Sequence, residues 1–193
     1  GGKDDWIWFH IPVGYLFAIG NPRSDWMFET VIEPGLNGRK LNYPRGKVLG
    51  GSSAINAMIS MRGQAADYDH WKSLGLPGWG WEDVLPVFRR IEDHFLGDSD
   101  VHGVGGEWRV EAPRVRWDIL DAVRDAAQEL GVEPVGDFNT GDNEGSSYFH
   151  VNQKGGVRWS AARGFLKPVM GRSNLRVETG CLTDKLVLED GRA

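Results

Sequence analysis

The stretch PRGKVLGGSSAINAMISMRG, residues 44–63, places two adjacent glycines and two serines directly before an apolar run. Glycine accepts positive φ and exposes its backbone N–H groups, so Gly50 and Gly51 suit a turn that another group approaches closely. If a helix follows over residues 53–61, its amino terminus adds a partial positive charge, and the turn can hold a phosphate or lie against an aromatic cofactor ring. Spacing alone favours the simpler alternative, a tight turn that packs on another backbone.

Composition limits the classes of protein to be considered. The 193 residues are 40% hydrophobic and 25% charged, as in a folded globular protein, and the net charge is −5. No run of Lys or Arg forms a basic patch, so no nucleic-acid partner is expected. The longest apolar run, residues 11–20, is too short to span a bilayer, so no membrane span is expected. The lone cysteine, Cys181, excludes a disulfide framework and favours a reducing compartment such as the cytoplasm.

Apolar spacing predicts a mixture of helices and strands, and therefore an α/β or α+β fold. The stretch WEDVLPVFRRI is predicted to be helical, provided that Pro86 lies in the first turn. The clearest helix is WDILDAVRDAAQEL, which Gly131 ends. GGEWRVEAP is predicted to be a short strand, and RWSAARGFLKP a short helix that Ser160 caps and that stops before Pro168. Residues 6–43 have no strong period and should contain loops and short strands.

Two other patterns suggest a bound ion but have the wrong spacing. The chain has five histidines, His10, His70, His94, His102 and His150. They form no i, i+4 pair and no Cys-His pattern, so no metal site is expected. DFNTGDNEG resembles a calcium loop at Asp137 and Asn139, but Tyr148 stands where a bidentate Glu is required, which favours a solvated turn. The sequence also has no G-x-S-x-G elbow for a hydrolase nucleophile.

Both ends of the sequence suggest a part of a larger protein. The chain opens on GGKDD without a Met. It closes on NLRVETGCLTDKLVLEDGRA, which alternates apolar and polar residues up to Asp190-Gly191, a dipeptide typical of a two-residue hairpin turn. The returning strand is missing, so we expect a fragment.

Nearly all of the chain resembles one known family. YPRGKVLGGSSAINAMISMRGQAADYDHW closely resembles the first signature of the glucose–methanol–choline (GMC) oxidoreductases, flavoenzymes that oxidise alcohols with FAD. GWGWEDVLPVFRR, FNTGDNEG, GGVRWSAARGFLKP and the closing stretch follow in the family's order and at its usual spacing. Within the family, the chain looks most like the bacterial choline-dehydrogenase-like and polymeric-alcohol dehydrogenases.

The resemblance implies a set of cofactor-binding residues. In the family this signature runs along the FAD, so Gly50 and Gly51 would leave room for the cofactor. The other flavin-contacting positions that it implies are Val48, Ser52, Asn56, Ala57, Met58 and Ile59. Thr183 aligns with a residue whose backbone binds the adenine side, so its side chain should matter little. Some members attach FAD through a His where this chain has Ile55, so FAD is expected to be bound non-covalently.

The resemblance also implies a division of the chain. It predicts an incomplete FAD-binding Rossmann-like domain with part of the GMC substrate domain. Residues 1–44 would be an FAD-covering lid and linker, 45–100 the extended FAD-binding region, 101–154 part of the substrate-binding domain, and 155–193 a return to the FAD-binding domain. The family's G-x-G-x-x-G turn and its catalytic histidine pair or His-Asn pair have no counterpart here. We therefore assign no catalytic residue and expect the chain alone to be inactive.

Three functions are compatible with these observations to different degrees. The first is the FAD-binding portion of an alcohol oxidoreductase that transfers a hydride from a CH–OH donor to flavin, with a small-molecule alcohol and an unknown electron acceptor as partners. The second is a truncated or pseudoenzyme scaffold without chemistry. An NAD-dependent dehydrogenase is disfavoured, because the signature belongs to flavoproteins.

Overall fold

A computed structural model describes residues 1–141 and 143–192, and its regular elements are short. The α-helices in that part of the chain are α1 (Tyr15–Ala18), α2 (Ala65–Ser73), α3 (Trp81–Ile91) and α4 (Asp118–Glu129). The strands are β1 (Phe28–Glu29), β2 (Asn42–Tyr43), β3 (Glu92–His94), β4 (Trp108–Val110), β5 (Gln153–Lys154) and β6 (Val157–Arg158). Single 3-10 turns cover Ile7–Phe9, Pro12–Gly14, Pro34–Leu36, Gly51–Ala54 and Lys167–Val169, and a π-helical turn covers Ala162–Leu166. Among these helices, none is both long and apolar enough to cross a membrane.

The strands form three two-stranded sheets, and single bridges join the segments between them. β1 pairs antiparallel with β2, β5 pairs antiparallel with β6, and β3 runs parallel to β4. Bridges join Ile59 to Val151 and Val151 to Glu111, so three distant segments lie side by side. This first ladder connects the end of the signature stretch to the segment that follows β4.

The first two residues form the middle of a second ladder. Gly2 pairs in parallel with Val48. On the other side, the carbonyl of Gly1 accepts the N–H of Gly180 at 2.7 Å. The chain around residue 180 therefore lies close to the chain around residue 48, with residues 1–2 between them. Thr183 is three residues beyond this contact and is exposed.

A small hydrophobic core lies beside the turn formed by residues 48–54, which we call the double-glycine turn. The buried side chains of this core are Phe9, Ala18, Val48, Ala54 and Ile55, with Trp6 packed against them. The exposed fraction of Ile55 is only 2%, so its side chain belongs to the core. In α4, by contrast, no described residue is buried, and Ile119 and Val123 of its apolar stripe are 65% and 58% exposed.

Several predicted elements are confirmed. α3, α4 and β4 lie where apolar spacing predicts them, and Gly131 ends α4 with φ +85°. Asp190 and Gly191 form a turn with φ of +50° and +76°, closed by a bridge between Glu189 and Arg192. Positive φ at both central residues is the reason that Asp-Gly is favoured in such turns. The mixture of helices and short strands confirms the predicted fold class.

The helix predicted over residues 53–61 is wrong. Only the 3-10 turn Gly51–Ala54 forms, and Met58 has φ +65°, a conformation that no helix of L-residues contains. Instead of continuing a helix, residues 58–60 pair with residues 150–152. The N–H of Ser60 donates to the backbone carbonyl of His150 at 2.9 Å. This long-range pairing is favoured over the local helical preference of the sequence.

Three other details of the prediction are also wrong. Pro86 lies in the second turn of α3, because the Asp83 carboxylate accepts the N–H of Gly80 at 3.2 Å and the helix starts at Trp81. The helical segment after Ser160 does not stop before Pro168, which lies in the 3-10 turn Lys167–Val169. No strand is assigned over the alternating residues 175–188, and no strand in the described ranges pairs with them.

Candidate functional site

The two glycines of the double-glycine turn have different surroundings. Gly50 has φ +89°, and a Cβ added to it would lie 3.3 Å from the Cβ of Ala162 and 3.4 Å from the Cβ of Ser160. Both contacts come from the segment after β6. The close neighbour that the sequence suggests at Gly50 is therefore another part of this chain, as the packing alternative proposes.

Gly51 has an open face. Its φ is +54°, and an added Cβ would have no atom of another described residue within 4 Å beyond its chain neighbours. The opposite side of Gly51 is packed, because a Cβ at Gly46 would lie only 2.1 Å from the Gly51 carbonyl oxygen. The hydroxyl of Ser52 accepts the N–H of Gly46 at 3.2 Å, which joins the two glycine segments. Gly51 is therefore packed against Gly46 on one side and open on the other, as a backbone site that a ligand can approach must be.

The side chain of Ser53 joins the turn to the segment after β6 and so fixes its position. The hydroxyl of Ser53 donates to the Gly50 carbonyl at 2.5 Å and accepts the N–H of Ala161 at 2.9 Å. These hydrogen bonds do not require a bound cofactor, since all of them join residues of this chain. The turn is thus preformed, and a ligand would not have to order it.

Arg158, at the end of β6, anchors the exit of the turn. Its side chain is fully buried, and its Nη1 donates to the carbonyl of Ser53 at 3.3 Å and to that of Asn56 at 2.6 Å. Nη1 also donates to Asn56 Oδ1 at 3.0 Å, and Nη2 donates to the Pro12 carbonyl at 3.1 Å. Burial lowers the pKa of Arg158 to about 10, so the guanidinium is charged at neutral pH.

The predicted cofactor-binding residues fall into buried and exposed groups. Val48 and Met58 are buried, with 8% and 6% exposure. The exposed members are Ser52, Asn56, Ala57, Ile59 and Thr183. Asn56 Oδ1 accepts the N–H of Met58 at 3.1 Å, which supports the positive φ of that residue. Residues 48–59 form one continuous segment, whereas Thr183 reaches the neighbourhood only through the second ladder.

A second cluster, which no sequence pattern predicts, is buried around His102. Its Nδ1 lies 2.9 Å from Glu92 Oε2 and its Nε2 lies 2.5 Å from Asp137 Oδ2. Carboxylates accept hydrogen bonds, so both ring nitrogens must carry a proton and the ring is a cation. Burial alone would lower the pKa of His102, but the hydrogen bonds to Asp137 and Glu92 outweigh it and raise the pKa to about 9. The hydrogen bond from His102 likewise overcomes burial and lowers the pKa of Asp137 well below its usual range.

The other histidines of this cluster are neutral. The ring of His94 stacks on His102 with centroids 3.6 Å apart, and burial together with that neighbouring charge lowers the pKa of His94 to about 4. The N–H of Leu96 donates to His94 Nδ1 at 3.3 Å, so the proton of His94 is on Nε2. This nitrogen lies 3.3 Å from His150 Nδ1, which therefore accepts. Burial also lowers the pKa of His150.

The cluster corrects the interpretation of DFNTGDNEG as a solvated turn. Asp137 and Asn139 are each only 8% exposed, and Asn139 Oδ1 accepts the N–H of Arg62 at 2.8 Å. The guanidinium of Arg62 also lies 2.8 Å from Glu92, so two cations face two carboxylates. Ligand-type atoms of His94, His102 and Asp137 lie within 4.8 Å of one another. Because both nitrogens of His102 already face carboxylates, the ring would first have to lose a proton to bind a metal ion.

Sequence comparison identifies the class of protein to which this fold and this turn belong. Residues 17–193 match the family described as GMC oxidoreductase, and the chain belongs to that family. Its relatives include the oxygen-dependent choline dehydrogenases of Sinorhizobium fredii, 37% identical over 193 residues, and of Brucella anthropi, 40% identical over 183 residues. These alignments cover 100% and 95% of this chain but 35% and 33% of the relatives. The predicted likeness to choline dehydrogenases is confirmed.

Solved structures give the same result for the fold. A pyridoxine 4-oxidase from Mesorbium loti superposes with a TM-score of 0.84 and 34% identity, over 91% of this chain and 35% of its own. An FAD-dependent oxidoreductase from Chaetomium thermophilum gives a TM-score of 0.78 and 27% identity, over 90% of this chain and 32% of its own. The chain therefore spans about a third of the length of the relatives that it matches.

Proposed function

We propose that the chain is the FAD-binding portion of an FAD-dependent alcohol oxidoreductase, and that FAD lies along residues 51–59. The observation that carries this proposal is the open face of Gly51, in a preformed turn within the family's signature stretch. The relatives described above, an oxygen-dependent choline dehydrogenase and a pyridoxine 4-oxidase, support an alcohol as the substrate class.

The residues present fit this cofactor. At Gly51 a ligand can reach the backbone, because no side chain of the described residues fills the space where a Cβ would be. Asn56, whose backbone N–H donates to the Ser52 carbonyl at 2.9 Å, is exposed and offers an amide for hydrogen bonding. We further propose that Val48, Gly50 and Met58 shape the contact surface, that Ser52, Ala57 and Ile59 lie at its exposed edge, and that the backbone of Thr183 meets the adenine side. When bound, FAD supplies the redox chemistry, in which its ring accepts a hydride from the alcohol carbon.

We propose that FAD is held non-covalently. The family position that carries a histidine for covalent attachment is Ile55 in this chain, and an alkyl side chain has no nucleophile. Ile55 is also packed in the hydrophobic core, with 2% exposure. The residues of this chain are therefore proposed to bind and orient the cofactor through backbone contacts, packing and the side-chain amide of Asn56, without a covalent bond.

No catalytic residue is proposed within the chain. Both ring nitrogens of His102 face carboxylates, both of His94 face other protein groups, and the acceptor nitrogen of His150, Nδ1, faces His94, so none of these acceptor positions is open to a substrate proton. We therefore expect the isolated 193 residues to be inactive. The division into four segments, a cytoplasmic location and an unidentified electron acceptor also remain parts of this proposal.

The direct test is purification of the complete gene product that contains this chain. We expect it to be yellow, to contain about one FAD per chain, and to reduce a redox dye when choline or another small alcohol is added. Protein that carries no flavin and binds none when FAD is added would overturn the proposal. That outcome would favour the scaffold alternative, in which the fold remains but the chemistry is absent.

A further inference from the structure

Arg158 is a buried cation that has no anionic partner within residues 1–141 and 143–192. Its side chain is 0% exposed, and no carboxylate of the described residues lies within ion-pair distance of it. A buried charge that has no counter-ion is costly, so its hydrogen bonds must stabilise it. All of the acceptors are neutral oxygens, and three of the four belong to Ser53 and Asn56, at the exit of the double-glycine turn.

We propose that Arg158 is a positioning residue for flavin binding, which holds the amide of Asn56 with its nitrogen turned toward the cofactor. This inference rests on the proposed function. It concerns how this chain presents a donor, and Arg158 itself is not expected to contact the reacting atoms.

The orientation of the Asn56 amide follows from its donors. Oδ1 receives the N–H of Met58 at 3.1 Å and Nη1 of Arg158 at 3.0 Å. Two donors can converge only on an oxygen, so the amide nitrogen Nδ2 must occupy the other position. Within residues 1–141 and 143–192, this nitrogen has no hydrogen-bond acceptor. Arg158 thereby fixes which end of the amide is free.

A second amide nitrogen, that of Asn152, lies at a cavity beside Asn56. The cavity has a volume of about 270 Å³, and both Asn56 and Asn152 line it. Asn152 is 5% exposed, and its Nδ2 is buried without a hydrogen-bond partner in the described part of the chain. Two amide donors at one cavity favour a ligand with several acceptor atoms, such as the carbonyl oxygens and ring nitrogens of a flavin.

The geometry of the guanidinium explains why an arginine is needed. Its N–H groups lie in one plane at fixed angles, so a single side chain can fix the carbonyls of Ser53, Asn56 and Pro12 relative to one another. A lysine ammonium has no such plane, and it would hold only part of this set. Lysine should therefore preserve charge but not the geometry.

Asn56→Asp is the first test, in the complete gene product. The carboxylate keeps an acceptor for Arg158 and Met58 and also neutralises the buried charge, so the stability of the flavin-free protein should be unchanged or higher. The free donor is lost, so FAD affinity should fall roughly tenfold or more, which is the effect of losing one good hydrogen bond to a buried ligand. Urea unfolding measures the stability, and quenching of flavin fluorescence measures the affinity.

Arg158→Met and Arg158→Lys form the second test, with Arg109→Met as the control. Arg109 is a half-buried arginine with a side chain 24% exposed, its partners are Asp93 and Glu111, and it is not among the residues that line the cavity beside Asn56. Arg158→Met should weaken FAD binding about tenfold or more, and Arg158→Lys by less. Both should change the visible circular dichroism of the bound flavin. Arg109→Met should lower stability but leave the affinity and the flavin spectrum unchanged.

The outcomes separate this inference from the function on which it rests. If the unsubstituted protein binds no FAD, both are overturned. If it binds FAD, and Asn56→Asp binds it equally well, then the orientation of the amide has no role and only the inference is overturned. The same holds if Arg158→Lys and Arg109→Met have equal affinities and equal flavin spectra. Should Arg158→Met fail to fold, Arg158→Lys and Asn56→Asp still decide the question.

Discussion

Alanine substitutions at Gly50 and Gly51 should have different main effects, one on stability and the other on FAD binding, although the two glycines are adjacent. Gly50 packs against Ala162 and Ser160, whereas Gly51 faces open space. A methyl group at position 50 should therefore weaken the fold. A methyl group at position 51 should instead enter the space that we assign to FAD, and should weaken binding.

The expected magnitudes follow from backbone conformation and contact distances. Both residues have positive φ, which costs an alanine about 1–2 kcal/mol. At Gly50 the added Cβ would also lie 3.3–3.4 Å from three atoms of Ser160 and Ala162, so these must move by a few tenths of an ångström. That overpacking adds about 1–2 kcal/mol, so Gly50→Ala should lower the free energy of unfolding by about 2–4 kcal/mol, and Gly51→Ala by only about 1–2 kcal/mol.

Gly155→Ala is the matched control for Gly51→Ala. Gly155 lies in the turn between β5 and β6 and has φ +59°, and in the described part of the chain an added Cβ would have no atom within 4 Å beyond its chain neighbours. The backbone strain should therefore be the same, with no ligand contact to lose. In the complete gene product, urea unfolding without flavin should give equal losses for the two variants. An FAD titration should show about tenfold or greater weakening for Gly51→Ala alone, because a misplaced methyl group costs about 1–3 kcal/mol in a packed contact.

Two results would refute this reasoning. If Gly51→Ala binds FAD as tightly as Gly155→Ala does, the open face of Gly51 is not the cofactor site. If Gly50→Ala is no less stable than Gly51→Ala, then the contacts with Ala162 do not explain the glycine at position 50.

Four further predictions concern other parts of the molecule. Because the folded-state pKa of His102 is raised from 6.5 to about 9, the stabilisation by this group is complete below pH 6.5 and is lost as the pH rises through 9. His102→Gln should therefore abolish an alkaline loss of stability on the order of 3 kcal/mol in urea unfolding, and an unchanged pH slope would contradict the ion-pair network. Acid precipitation of the holoprotein should leave FAD in the supernatant, whereas flavin in the pellet would mean that a residue other than Ile55 attaches it. Thr183→Ala should change FAD affinity less than about twofold, since only backbone contact is expected there. The isolated 193-residue chain should not retain FAD on gel filtration, because its sequence has no G-x-G-x-x-G turn; co-elution of flavin would contradict this.

The sequence predicts what local patterns encode. α4 is set by its apolar period and by Gly131, and the Asp190-Gly191 turn by residues that accept positive φ. The segment after the double-glycine turn is not predictable in this way, because its pairing with residues 150–152 depends on a strand about 90 positions away. The positive φ of Met58 has no local signal either.

The candidate site was only partly predictable for the same reason. The pattern GGSS indicates that a backbone must be approached closely, but it does not show which glycine faces the protein and which faces open space. The cluster around His102 has no spacing signal, because its members come from segments near residues 62, 92, 102, 137 and 150. Charged residues that pair over such distances can be found only from the folded chain.

The ladder through Gly1 and Gly2 places a constraint on the order of folding during synthesis. Gly2 can pair with Val48 early, whereas the backbone nitrogen of Gly1 donates to the carbonyl of Cys181, 180 positions away. Closing so long a loop adds only modestly to the entropic cost, since that cost grows with the logarithm of length, but the contact cannot form until residue 181 has emerged from the ribosome. Until residues 180 and 181 have emerged, this edge of the ladder has unpaired backbone groups, on which an extended segment of another nascent chain can add. Slower translation of residues 50–180 should therefore increase the aggregation of growing chains through residues 1–2.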